Sequence, residues 1–174
     1  VGMYYRRDKL VTQLTAADVG DVSTDAETIS RASYDASLFA LTPRAVVAPR
    51  EVADVERLVR FANNHHGVSL TARSAGTDMS GGPLTESLVV SFTEHFNRIG
   101  TIGNGQAIVQ PGVYYRDFER ATLKHGFLLP SFPASRELAT VGGMVANNSG
   151  GEKTLAYGKT ADYVESLKVV LADG

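Results

Sequence analysis

Apolar positions recur at helical spacing over two stretches of the chain, with short strand-like runs around them. In residues 51–65, Val52, Val55, Leu58, Val59 and Ala62 return every three or four positions, which predicts an amphipathic helix. Ala45-Val-Val-Ala48 before it is an apolar run closed by Pro49, and residues 68–71 after it read as a second strand. Together these predict a compact β–α–β unit with parallel strands and a right-handed crossover. Residues 114–125 form the second helical stretch, offering Phe118, Ala121 and Leu123 for burial and Gly126 as a C-cap. Residues 88–92, 97–102 and 106–110 are strand-like, the last two joined by a Gly103-Asn-Gly105 turn. From residue 3 to about 42 the pattern is helical and loop-like: Leu10, Val11 and Leu14 share a face, and residues 23–29 offer a capped helix. Residues 130–160 are rich in Gly, Ser and Asn with little periodicity, and residues 164–174 read as a strand running into an Asp-Gly turn. The economical architecture is α+β in two lobes: a small β–α–β lobe and a larger mixed or antiparallel sheet lobe with helices.

Composition narrows the class. With 174 residues, 43% hydrophobic and 21% charged, the chain can bury a core and is not disordered. Its 17 basic and 19 acidic residues give a net charge of −2, which supplies no field for gripping nucleic acid. No run approaches the ~20 apolar residues that a spanning helix needs, so no membrane span is expected in this segment. There is no cysteine, which excludes disulfides, thiol catalysis and iron–sulfur ligation within the chain. That composition fits the cytosol, and the expectation is a cytoplasmic protein, with peripheral membrane contact through an unidentified electron acceptor as the variant. His65 and His66 close the crossover helix and read as a solvated C-terminal cap; no histidine pair has metal-ligand spacing, so no metal site is expected. An Asp-Gly end usually opens a hairpin, which predicts that the segment is a piece of a longer protein.

Two glycine-rich loops carry the candidate chemistry. The first, Arg73-Ser-Ala-Gly-Thr-Asp-Met-Ser-Gly-Gly82, directly follows a predicted strand. Small residues let successive N–H groups point into one concavity, which suits a phosphate or pyrophosphate. It is neither a phosphate-binding loop of the Gly-Lys-Ser/Thr type, because Gly82-Pro83 stands at that place, nor a dinucleotide fingerprint. An ordinary surface turn is the alternative. In the second loop, residues 133–151, Thr140 can cap a short helix with Gly142 and Gly143 in its first turn. Two such glycines cost about 2 kcal/mol against alanine. Either a ligand approaches the helix N-terminus or another element crosses it closely.

In order along the chain, Pro43-Arg-Ala-Val-Val-Ala-Pro49, Arg73-Ser-Ala-Gly-Thr77, Gly81-Gly82, Gln110-Pro-Gly112, Pro133-x-Ser135, Thr140-Val-Gly-Gly143, Gly150-Gly151, Tyr157-Gly158-Lys-Thr160 and Val169-Val-Leu-Ala-Asp-Gly174 resemble the flavin-binding domain of the vanillyl-alcohol-oxidase type, the PCMH-type or FAD-linked oxidase fold. Ser33-Tyr-Asp-Ala-Ser-Leu38 is similar to the lead-in of the D-2-hydroxy-acid dehydrogenase branch, with its D-lactate, glycolate and D-2-hydroxyglutarate enzymes. The resemblance implies a helical lead-in over residues 1–42 and an FAD-binding domain over 43–174, truncated at its C-terminus and without its substrate cap. It implies FAD, held non-covalently because the first loop has no histidine and the chain no cysteine. It implies a flavin-dependent dehydrogenase acting on a small 2-hydroxy acid, with the catalytic residues downstream and this segment inactive alone. An alcohol or sugar oxidase, or a non-catalytic nucleotide-binding module, is the alternative. Carried residue by residue, the resemblance assigns Ser74, Ala75, Gly76, Thr77 and Asp78 to the FAD pyrophosphate, with Arg73 and Met79 flanking them; Arg73 reads equally as a structural residue. It places Pro133, Ser135, Thr140, Gly142, Gly143, Asn148, Gly150 and Gly158 along the flavin. Tyr114 and Tyr115 are expected to pack beside the cofactor lobe.

Overall fold

The computed structural model describes residues 2–174, with side chains from residue 9 onward. They divide into two compact units, one comprising the residues up to Phe92 together with 169–174, the other residues 93–168.

The first unit contains α1 (Gly2–Ala16), β1 (Asp21–Ser23), α2 (Ala26–Ala32), β2 (Ala45–Ala48), α3 (Val52–Asn63), β3 (Leu70–Arg73) and β4 (Leu88–Ser91). Its sheet has the order β1-β2-β4-β3, with β2 and β3 parallel to β4 and β1 antiparallel to β2. Strands β2 and β4 are buried at every position, as strands covered on both faces must be. Alternation sorts their side chains: Val47, Leu88 and Val90 join Leu10 and Leu14 of α1 and Leu58 and Phe61 of α3, while Val46 and Val89 meet Ile29 and Ala32 of α2.

Two expectations change here. The β–α–β strands β2 and β3 do not pair with each other; β4, expected in the second lobe, lies between them. The runs at 45–48 and 88–91 look alike locally, and nothing in their pattern states that the second lies between β2 and β3. The lead-in contributes Leu10, Leu14 and Val19 to this core. Its second helix begins later than expected, because Asp25 is the N-cap, accepting from the Thr28 N–H at 2.9 Å.

The second unit contains the antiparallel pair β5 (Ile99–Gly103) and β6 (Gln106–Val109), then α4 (Tyr115–Leu123), α5 (Val141–Ala146), α6 (Thr154–Tyr157) and a short 3-10 helix, Thr160–Tyr163. Its core is Val113, Tyr115, Phe118, Phe132, Ala139, Val141 and Met144. Tyr115 is fully buried; its hydroxyl donates to the Leu129 carbonyl at 2.6 Å and its ring lies 5.6 Å from that of Phe132. The larger sheet therefore belongs to the first unit, the reverse of the expected proportions. Residues 164–171 form no strand, and Leu167, Val169 and Leu171 are exposed. Their alternation is a strand pattern, but a strand needs a partner edge, and none pairs with it among the described residues.

Candidate cofactor site

The first glycine-rich loop leaves β3 at Arg73, and its residues 73–78 are all half-buried, whereas Met79 is 81% exposed. Gly76 takes φ +69°, which an L-residue adopts only with strain. The backbone N–H groups of Ala75, Gly76 and Thr77 donate to no group among the described residues. Three successive partly buried donors around a left-handed turn make a concavity suited to an anion with several oxygens. The loop's own carboxylate does not oppose that. Asp78 is turned onto its neighbours, accepting from the Ser80 hydroxyl at 2.6 Å and from backbone N–H groups, and these bonds hold its pKa below the usual carboxylate value. A Cβ on Gly82 would strike that carboxylate.

Arg73 points elsewhere. Its guanidinium donates to the carbonyls of Arg31, Ala32 and Tyr34 at 3.2, 3.4 and 2.6 Å, satisfying oxygens left over at the C-terminal end of α2. Burial pulls its pKa below the ordinary arginine value, against the opposing charge of Asp35. Of the two roles the sequence leaves open for this side chain, its contacts are those of the structural one.

The second loop is arranged differently. Thr140 caps α5 as expected, its hydroxyl accepting from the Gly143 N–H at 3.2 Å. The remaining first-turn donors are engaged as well: Val141 donates to Val113, Gly142 to Pro111 and Met144 to Thr140, at 2.8–2.9 Å. Gly142 has an ordinary backbone conformation, and a Cβ there would lie 2.7 Å from the Pro111 Cα. The first-turn glycine is therefore explained by a close chain crossing, and α5 presents no free N-terminal donor to a ligand. Gly151 likewise abuts the Phe132 carbonyl, beside Pro133. Gly150 leaves room for Thr154 and Lys159. Gly158, at φ +76° and ψ −162°, occupies a region open only to glycine and makes way for Asp162, which accepts from the Lys159 N–H at 2.8 Å. Asn148, itself at φ +44°, accepts from the Ala161 N–H at 2.9 Å, and the Ser135 carbonyl accepts from Leu138 and Ala139 at 2.8 Å. Pro133, Ser135, Gly142, Gly143 and Asn148 thus sit in one internally bonded loop system of the second unit. The sequence did not single out Pro111, Thr154 or Asp162 as the partners requiring those glycines; each lies well away from its glycine or outside the loop motif.

Tyr115 is core, and Tyr114 lies under the Arg116 guanidinium, 4.4 Å from its ring centre. His65 donates from Nδ1 to the Phe61 carbonyl, 2.7 Å away, and stacks on the Phe61 ring at the end of α3. Among the described residues no helix is long and apolar enough to cross a membrane, and no cluster of three His, Asp or Glu could hold a metal.

Residues 43–174 match the FAD binding domain family. The glycolate oxidase subunit GlcD of Bacillus subtilis is 40% identical over 146 residues, which are 82% of this chain and 31% of that protein. A D-lactate dehydrogenase of Archaeoglobus fulgidus is 37% identical over 148 residues, covering 81% of this chain and 33% of its own length. The chain thus spans about a third of these relatives. Among solved structures, an alkyldihydroxyacetonephosphate synthase superposes with a TM-score of 0.71 at 23% identity, over 81% of this chain and 29% of that one, a likeness of fold. The donor-rich first loop, the two-unit α+β architecture and this match over three quarters of the chain agree: the chain belongs to the FAD binding domain family.

Proposed function

We propose that this chain is the cofactor-holding portion of a flavin-dependent dehydrogenase that oxidises a D-2-hydroxy acid of the lactate, glycolate or 2-hydroxyglutarate kind. The observation that carries the reading is the row of unengaged N–H groups at Ala75, Gly76 and Thr77, which fits the pyrophosphate that joins the two halves of FAD and needs no basic side chain. Ser74 and the Asp78 backbone extend the same concavity, with Met79 at its exposed rim. In the second unit, Pro133, Ser135, Thr140, Gly142, Gly143, Asn148, Gly150 and Gly158 shape a rigid wall for the flavin by packing and not by direct donation. Gly142 and Gly143 direct their N–H groups into the protein. The chemistry FAD supplies when bound is acceptance of the substrate's α-hydrogen as hydride. This chain's part is to bind the diphosphate, fix the cofactor and exclude water. The relatives named glycolate oxidase subunit and D-lactate dehydrogenase, and the Ser33-Tyr-Asp-Ala-Ser-Leu38 lead-in, support the 2-hydroxy-acid class.

FAD is held without a covalent bond in this reading, because residues 73–82 contain no histidine and the chain no cysteine. Titration with FAD, FMN and ADP tests the cofactor: FAD should bind tightest, and a preference for ADP or FMN would favour a nucleotide-binding module without catalysis. A panel of D-lactate, glycolate and D-2-hydroxyglutarate against sugars and phenols, on the full-length enzyme, tests the substrate. Turnover of sugars alone would shift the reading to a sugar oxidase.

A further inference from the structure

The last turn of α2 and the segment between it and β2 grip the first loop at three points. The Arg73 guanidinium is fastened to the carbonyls of Arg31, Ala32 and Tyr34, and it occupies the space where a side chain on Gly76 would stand. The Ala36 N–H donates to the Asp78 carbonyl at 3.0 Å. The Phe39 ring lies against Gly81. Within the segment, Asp35 is constrained on one side only: its Oδ1 accepts from the Ser37 N–H at 2.8 Å, while its Oδ2 is buried without a hydrogen-bond partner. A carboxylate oxygen removed from water without a donor is costly unless a positive charge nearby offsets it. Arg73, half-buried itself and bonded to the carbonyl of Tyr34 next to Asp35, is the cation whose charged form the Asp35 carboxylate favours against burial.

We propose that Asp35 is a positioning residue for FAD, acting through Arg73. Its carboxylate compensates the desolvated guanidinium on the α2 end, and the guanidinium is the wall that fixes the left-handed turn at Gly76 and aims the N–H groups of residues 75–77. Arg73 is accordingly not the counter-charge of the pyrophosphate. Its charge is already answered by Asp35 and three carbonyl dipoles, and its fork is spent on those carbonyls. The inference rests on the reading that residues 74–78 bind FAD. It extends that reading to a residue more than thirty-five positions upstream, in the lead-in motif.

The test compares FAD dissociation constants, from flavin fluorescence, with melting temperatures of the flavin-free protein for four variants. Asp35→Asn keeps the Oδ1 acceptor, removes the charge and sets an amide toward the position of Oδ2. It should bind FAD about tenfold more weakly, and Asp35→Glu should recover most of that loss. Arg73→Lys, which keeps the charge without the fork, should weaken FAD by a similar factor. Leu14→Ala, a core truncation remote from the loop, should lower the melting temperature more than Asp35→Asn while leaving FAD affinity within about twofold. Asp35→Asn affinity equal to that of Leu14→Ala would overturn the positioning role. Gly76→Val separates that failure from a failure of the loop reading, since wild-type affinity in that variant would mean the loop does not hold FAD at all. If Asp35→Asn does not fold, Arg73→Lys decides alone: unchanged affinity there refutes the proposal.

Discussion

A methyl group added at residue 142 and one added at residue 76 would do damage for different reasons. At 142 the Cβ meets backbone of Pro111, which cannot swing aside. Gly142→Ala should therefore cost about 1–3 kcal/mol of stability, as overpacking does, and thermal unfolding should show it. Its folded fraction should bind FAD nearly as well as the wild type. At 76 the neighbour is the Arg73 guanidinium, held by three carbonyls, and φ is +69°, so strain of about 1–2 kcal/mol is unavoidable. Gly76→Val should lose FAD out of proportion to its loss of melting temperature, because the displaced backbone is the part proposed to face the pyrophosphate. Ser74→Ala should cost about 1 kcal/mol of FAD binding, one hydrogen bond's worth, read by flavin titration. Equal FAD loss in Gly142→Ala and Gly76→Val would show that the contrast between these sites is wrong.

Among the elements, α4 and α5 give the sharpest expectations. Thr140→Ala removes the α5 cap and should destabilise by about 1 kcal/mol. Tyr115 on α4 has its phenol pKa pushed above the ordinary value of 10, first by burial and then by Glu119. The folded state thus favours the neutral phenol. Its contribution is complete below pH 10 and erodes above it, as the unfolded chain ionises while the folded one does not. Melting temperatures from pH 8 to 11.5 should fall at the alkaline end, and Tyr115→Phe should flatten that limb; an unchanged slope would contradict the buried-phenol account. What made these elements readable from sequence was local: α3 and α4 have helical periodicity, Thr140 is a hydroxyl before a short apolar run, and β2 is four apolar residues before a proline. What resisted reading was long-range. The place of β4 between β2 and β3 is set by burial on both faces, which the apolar runs share. The three-residue β1 exists because β2 offers it an edge, and residues 164–171 show the converse, an alternating pattern that stays unpaired. The candidate site divides the same way. The left-handed turn at Gly76 was foreseeable from the glycine itself, but the sequence could not tell that the glycine at 142 answers to Pro111, a contact between residues about thirty positions apart.

At the scale of the whole molecule, the absence of cysteine and of a first-loop histidine leads to a direct expectation. Acid precipitation of the flavin-loaded protein should leave a yellow supernatant and a colourless pellet, while fluorescence on the denatured chain would reveal a covalent link. The two units also treat their amides unequally, and that inequality has a readable clock. In amide hydrogen exchange, the protons of Gly142, Gly143 and Met144, locked to Pro111 and Thr140, should exchange slowly whether or not flavin is present, at a rate set by opening of the second unit. Those of Ala75, Gly76 and Thr77 have no such lock and should exchange within the earliest time points. Adding FAD should slow these three selectively, marking the loop as the place where the cofactor brings order that the chain alone does not supply.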